Sequence, residues 1–316
     1  MTNLERGVIV TAYGAPHYIE MAKTLARSLR LHSPLIPSAI VTDNLNDQEL
    51  RELFDYIVPL KKEYGSNVVQ KLHLNKYSPF QRTLYIDSDC IAVRDINFIF
   101  DTLEGRSFTV PGDRYLQAGD KNIFIKVDEV LNKFSLEKLP KFNGGLIYFD
   151  KSETALSVFE TGLSISRDWK NLGITEFRGD GPAEEPIFAI AMTLHNQTMF
   201  DDKGQMMRTP IGLRGSLEVD TFTGKSRFQK YNTVVSPAIV HFASVWGEHP
   251  VYLREVSKLK DPNKSRTDQV KADIFSPIKY KFGYQIALIR YIAKRVPKNL
   301  PYIQSRVRRL LKQLPV

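Results

Sequence analysis

The first 86 residues alternate between short apolar runs and amphipathic stretches, and this alternation constrains the fold more than any other feature. Gly7-Val8-Ile9-Val10-Thr11-Ala12 is a β-branched, apolar run of the kind that forms a strand covered on both faces. Tyr13-Gly14-Ala15-Pro16 is turn material. From Tyr18 to Leu31 the apolar residues Met21, Ala22, Leu25, Ala26 and Leu29 recur at helical spacing, with Lys23, Arg27 and Arg30 on other faces. Ala39-Ile40-Val41-Thr42 reads as a second strand, Asp47 to Phe54 as a short helix, and Tyr56-Ile57-Val58 as a third strand. Such β-α-β-α-β alternation predicts an α/β fold: a mainly parallel sheet flanked by helices on both faces. Right-handed crossovers then line up the strand ends along one edge.

A further helix is expected over Val68–Tyr77, leading to Arg82-Thr83-Leu84-Tyr85-Ile86-Asp87-Ser88-Asp89-Cys90. Leu84, Tyr85 and Ile86 suit a buried strand, and two carboxylates follow at i and i+2. In extended backbone those positions point to the same side, so Asp87 and Asp89 can converge. Carboxylates that close repel unless a cation lies between them or one is protonated. The carboxyl edge of an α/β sheet is also where ligands bind. The pattern therefore suits a divalent metal, Mg2+ or Mn2+, which takes hard oxygen ligands and carries phosphates. The same pattern also arises in loops whose acids cap helices or are simply solvated.

Downstream, Ile96–Leu103 reads as helix and Phe108-Thr109-Val110 as extended chain. Phe142-Asn143-Gly144-Gly145 is a turn feeding the strand Leu146–Phe149; paired glycines there permit positive φ or close approach of the backbone to a ligand. Glu153–Trp169 reads as a long amphipathic helix. Glu184-Glu185-Pro186 opens another through Leu194, with Pro in the first turn and acids that suit the helix N-terminus. Residues 201–236 read as irregular and polar, before a buried strand from Val235 to Phe242 that carries His241. A histidine at a strand end is commonly structural as well as a possible ligand.

These features in this order resemble a GT-A-fold, nucleotide-sugar-dependent glycosyltransferase. The resemblance is closest to glycosyltransferase family 8, the family of glycogenin and of bacterial lipopolysaccharide galactosyltransferases, and runs from about Gly7 to Tyr252. Four stretches carry it: Thr11-Ala12-Tyr13 on the first strand; Lys71 upstream of Tyr85-Ile86-Asp87-Ser88-Asp89; Phe142-Asn143-Gly144-Gly145; and His241-Phe242. It implies that Thr11, Ala12 and Tyr13 line the base pocket, with Asp43 near base or ribose, and that Lys71 contacts the donor. Asp87 is implied at ribose and metal, Asp89 and His241 as metal ligands, Asn143 at the donor sugar, and Ser88 and Gly144 as further donor contacts. Glu184 or Glu185 stands where the family has an acidic residue followed by Gln, beside the reacting carbon. The sequence departs from the family there, and again after His241, where Ala243-Ser244-Val245-Trp246 replaces the usual Gly and Lys-Pro-Trp, so the Lys expected on the diphosphate is missing.

The function that the resemblance implies is metal-dependent transfer of a sugar, with a UDP sugar as expected donor and with retention, to a glycan, lipid-linked or other hydroxyl acceptor, with Mn2+ or Mg2+. Two other readings fit less of the chain. In a haloacid-dehalogenase-type phosphatase Asp87 is the nucleophile, but that motif is expected near the chain start. A non-catalytic sugar-nucleotide or glycan-binding protein would account for the altered stretch after His241.

The net charge of +9 is concentrated in one place. From Ile274 to Val316 there are ten Lys or Arg residues and no Asp or Glu, and without that segment the remainder is close to neutral. The expected division is a catalytic domain over residues 1–255 and a basic, partly helical region over 256–316. Tyr284–Val296 and Ile303–Leu314 have the pattern of basic amphipathic helices, which lie on anionic membrane surfaces or pack on protein. Nucleic acid is not an expected partner, because no binding motif accompanies the charge. One cysteine, Cys90, rules out an intrachain disulfide and suits a reducing compartment. With no basic-then-apolar leader, a cytoplasmic location is expected, peripheral to the inner face of a membrane if the tail binds lipid.

Overall fold

The structure, a computed structural model, describes residues 4–177, 181–261, 284–286 and 288–290. The N-terminal alternation folds as its pattern suggests: β1 (Arg6–Thr11), α1 (Pro16–His32), β2 (Ser38–Thr42), α2 (Gln48–Leu53) and β3 (Tyr56–Pro59). Pro16 sits in the first turn of α1, where a missing N–H costs nothing. Asp47 caps α2 by accepting from the Leu50 N–H at 3.0 Å.

The single helix expected over Val68–Tyr77 is two pieces, a 3-10 helix Asn67–His73 and α3 (Leu74–Tyr77). The β-branched pair Val68-Val69 disfavours α-helix there. Gln70 also donates to the carbonyls of Lys61 at 2.9 Å and Gly65 at 2.6 Å, which fixes the tighter turn. β4 (Arg82–Ile86), β5 (Cys90–Ala92), α4 (Asn97–Thr102) and β6 (Phe108–Thr109) follow. Then come β7 (Arg114–Leu116), α5 (Val127–Phe134) and β8 (Leu139–Lys141), β9 (Leu146–Asp150), α6 (Glu153–Arg167) and α7 (Glu184–Leu194).

Residues 201–236, expected to be irregular, contain β10 (Met207–Arg208), β11 (Leu213–Asp220), β12 (Lys225–Lys230) and β13 (Thr233–Val235). The expected strand Val235–Phe242 is interrupted, and its second half is β14 (Ile239–His241). Pro237 has no N–H to give a ladder, so pairing stops on either side of it. α8 (Pro250–Lys260) closes the continuous part of the description. Of the two basic C-terminal helices read from sequence, residues 284–286 and 288–290 are helical; the rest lies outside the described residues.

The main sheet has the order β3-β2-β1-β4-β9-β6. β3, β2, β1 and β4 are parallel, and β9 runs antiparallel between β4 and β6. The turns after β1, β2 and β4 therefore meet along one edge. A second sheet, β10-β14-β5, pairs β14 antiparallel to β5 with His241 opposite Cys90. β11, β12 and β13 form an antiparallel meander, and β7 and β8 a two-stranded ribbon.

Alternation along the central strands splits the core into two layers. Ile9, Val41, Tyr85, Ile147 and Phe149 face α6 and α7. Val8, Val10, Ile40, Leu84, Ile86 and Tyr148 face α1, α2 and α4. In the first layer the Phe159 ring meets Phe149, Phe108 and Phe188 with centroids 5.0, 5.6 and 5.6 Å apart. Each such ring, fully removed from water, contributes roughly 1.5–3 kcal/mol. The result is a rigid platform beneath the turns that carry the polar residues.

Candidate active site

Polar side chains from five separate stretches converge at the carboxyl edge of the main sheet. Asp87 follows β4 directly, and its N–H donates to the Gly145 carbonyl at 3.0 Å. The Tyr85 hydroxyl, projecting from β4, donates to the Asp87 carboxylate and lies 3.1 Å from Thr11 Oγ1 on the neighbouring β1. Lys71 comes from the 3-10 helix and is buried. Its ammonium meets Asp87 Oδ1 at 2.8 Å, Glu184 Oε1 at 2.6 Å and the Gly144 carbonyl at 3.3 Å. Burial works against charge on Lys71, but Asp87 and Glu184 outweigh it and hold its pKa well above the ordinary value. Lys71 is thus the fixed cation of the site.

A second cluster lies beside the first. His241, at the end of β14, places Nε2 2.8 Å from Asp89 Oδ1 and 3.7 Å from Asp87 Oδ2. Its other nitrogen, Nδ1, is 2.7 Å from Asn143 Oδ1, which also accepts the Gly145 N–H at 3.1 Å. An amide oxygen can only accept, so Nδ1 carries a hydrogen and Nε2 is the nitrogen left for a ligand. Burial would lower the imidazole pKa, but Asp89 and then Asp87 raise it above its ordinary value. Burial likewise opposes ionisation of Asp89, and the His241 charge and hydrogen bond pull its carboxyl below the ordinary value. Two carboxylates and a directed imidazole nitrogen make a donor set suited to a divalent cation. Asp89, Cys90 and His241 offer three ligand atoms within 4.8 Å of one another. Burial pushes the Cys90 thiol well above its ordinary pKa, so a hard cation could draw on Asp89 and His241, with Asp87 beside them, in preference to the thiol.

The glycine pair is there for close approach, not for positive φ. A Cβ on Gly144 would stand 2.7 Å from Glu184 Oε1, and one on Gly145 2.4 Å from His241 Nδ1. The two acids that open α7 part company. Glu184 turns inward to Lys71 and is 6% exposed. Glu185 accepts the Gly144 N–H at 2.9 Å and lines an adjoining cleft with Phe142, Lys141, Phe124 and Pro186. Burial and then the Glu184 charge raise the Glu185 carboxyl to about 7.

On the other flank, Thr11, Ala12 and Tyr13 end β1 and begin the next turn. The Ala12 N–H donates to the Val41 carbonyl at 3.0 Å. Asp43 receives the Gly14 N–H at 3.1 and 3.3 Å, which ties the turn after β1 to the end of β2. Burial raises the Tyr13 hydroxyl pKa, with Lys71 opposing and Tyr77, Asp87 and Glu184 adding to it. Ser88 is buried between the two aspartates. The sequence-read residues are thus gathered along one edge. The reading missed Tyr85 as a hydroxyl partner of Asp87 and Cys90 as a neighbour of the histidine. For Tyr85 the signal was its i−2 spacing from Asp87, which puts both on one side of extended chain.

No family model matches the chain, and no curated protein matches it in sequence. Solved structures do match it in shape. The galactosyltransferase LgtC, in complex with donor and acceptor sugar analogues, superposes with a TM-score of 0.55 at 13% identity, over 82% of this chain and 96% of that one. An active-site mutant of LgtC gives 0.54 at 13% identity, with the same coverage of both chains. What this likeness shows is architecture: the chain has the GT-A fold of these glycosyltransferases.

Proposed function

We propose that the chain is a metal-dependent glycosyltransferase that moves a sugar from a nucleotide diphosphate sugar, with a UDP sugar as expected donor, to a hydroxyl of a glycan or lipid-linked acceptor. The observation that carries the reading is the meeting of Asp87, Asp89, His241 and Lys71 at the carboxyl edge of a GT-A sheet. Asp89, His241 and Asp87 would hold Mn2+ or Mg2+, which when bound supplies Lewis acidity toward a leaving diphosphate. Asn143 keeps the His241 ring turned so that Nε2 faces the aspartates. Lys71 lends positive charge, held in place by Asp87 and Glu184. Thr11, Ala12, Tyr13 and Asp43 would form the base and ribose side, with Ser88 and Gly144 as further donor contacts. Glu184 is neutralised by Lys71, so Glu185 is the carboxylate available to a sugar that becomes cation-like as its anomeric bond breaks. Retention of anomeric configuration is taken from the family resemblance. A phosphatase that attacks through Asp87 is disfavoured, because that family has its motif near the chain start, whereas here three strands of the main sheet precede β4 and Asp87.

A thermal-shift comparison of UDP, GDP, CDP and ADP, each with and without Mn2+, tests the reading. UDP at about 100 times its dissociation constant stabilises the fold by roughly 2.7 kcal/mol. The expected result is a UDP shift that needs Mn2+ and disappears in Asp89→Ala. Equal shifts without metal, or none with any nucleotide, would reject it.

A further inference from the structure

The cleft beside Glu185 has a chemistry that the donor-side residues leave unused. Its wall is the β7–β8 ribbon. Leu116 pairs with Leu139 and both are buried, and two residues farther out on the same face Arg114 stands directly opposite Lys141. Phe124 and Pro186 form the other side, and the Glu185 carboxyl marks the inner end. The cleft is therefore largely apolar, with Lys141 in its lining and Arg114 across the ladder from Lys141.

Like charges directly across a ladder destabilise it, so such a pair calls for a reason. Arg114 donates to Asp120 at 3.2 Å. Lys141 forms no ion pair or side-chain hydrogen bond among the described residues. Lys141 is exposed on the ribbon; partial loss of its water and then Arg114 hold its ammonium below its ordinary pKa, with Asp120 and Glu185 opposing. Glu185, raised to about 7 itself, offsets that charge only in part at neutral pH. An anion bound by the pair would relieve the repulsion. Arg114 offers a planar fork and Lys141 a point charge, the two side-chain types that recognise phosphate.

We propose that Lys141 and Arg114 receive a phosphate group carried by the acceptor, whose hydroxyl enters the cleft beside Glu185. The proposal rests on the transferase reading and adds the acceptor's class to it: a phosphorylated, anionic acceptor. On that reading a donor diphosphate would lie at Asp89 and His241, which meets Gly145, whereas Glu185 meets Gly144, so competition with UDP and Mn2+ separates the two phosphate sources.

The test uses glucose 6-phosphate and glucose as probes, titrated calorimetrically at low salt against the full chain, with and without UDP and Mn2+. Glucose 6-phosphate is expected to bind at least tenfold tighter than glucose. That preference should vanish in Lys141→Met, fall in Arg114→Gln, survive in Lys141→Arg and persist when UDP and Mn2+ are present. Equal affinities for the two probes, or an undiminished preference in folded Lys141→Met, would overturn the proposal. Should Lys141→Met not fold, Arg114→Gln decides in its place, an undiminished preference there overturning it. Loss of the preference on adding UDP and Mn2+ would place the phosphate at the donor position and overturn it equally. A Lys141-dependent preference in a protein that UDP and Mn2+ do not stabilise would leave the phosphate site standing and remove the transferase reading.

Discussion

A Cβ on Gly145 would stand 2.4 Å from His241 Nδ1 and 2.9 Å from Asn143 Oδ1, so a single methyl would displace the hydrogen bond that aims the imidazole. Gly145→Ala is therefore expected to lower Mn2+ affinity about tenfold to a hundredfold, the usual effect of losing a ligand's orienting partner. Mn2+ titration checks it, with circular dichroism unchanged. Glu185 gives a pH prediction. Its carboxyl is near 4.5 when unfolded and about 7 when folded, so the folded state binds the extra proton. Stability should then fall as pH rises from about 4.5 to about 7 and level off above. Glu185→Gln removes that decline, and urea midpoints at pH 5 and pH 8 should differ less in the variant than in the parent. At this scale the sequence was partly legible. Asp89 stood out because an apolar strand leads into it with Asp87 two residues before, whereas His241 at its strand end read equally as structural and entered as a ligand only through the family resemblance. Glu184 and Glu185 could not be told apart, because a helix start turns adjacent residues in different directions and only the packing of α7 on Lys71 decides which one faces inward.

At the scale of elements, the apolar elements were readable and the polar ones were not. α7 carries a run of buried residues from Pro186 to Met192, and its bounds follow from Pro186 and the acids at its start. The meander β11-β12-β13 has few buried side chains, mainly Val219, Ser226, Phe228 and Val235, and its register shifts between Arg214 and Leu217. A bulge there destroys the period of two on which a strand assignment depends. The ribbon β7–β8 was missed for length: three residues per strand carry too little pattern. The aromatic layer under α6 and α7 is the converse case. Phe159 packs on Phe108, Phe149 and Phe188, and Phe159→Ala is expected to cost about 3–5 kcal/mol. Chemical denaturation would show a lower midpoint at unchanged slope.

For the molecule as a whole, charge is unevenly divided along the chain. The GT-A part is close to neutral, and the ten cations with no acid lie between Ile274 and Val316. Among the described residues no helix is long and apolar enough to cross a membrane. In the helical residues 284–286 and 288–290, Tyr284 reaches His249 and Trp246 with ring centroids 4.9 and 6.0 Å away, while Ile286 and Ile289 are exposed. We propose peripheral attachment through this basic region. Removing the residues after Pro297 should release the protein from anionic liposomes in a sedimentation assay, and unchanged partitioning would reject the attachment. The pairing of β14 with β5 has a consequence in time. Asp89 and His241 are about 150 residues apart, and the strand that delivers the histidine is one of the last elements of the domain. At roughly 5–20 residues per second, a ribosome needs on the order of 8–30 s to travel from one to the other. If the proposed metal site is right, a nascent chain stalled in that interval would own its aspartates without their histidine, so capacity for a divalent ion would arrive only when β14 pairs with β5.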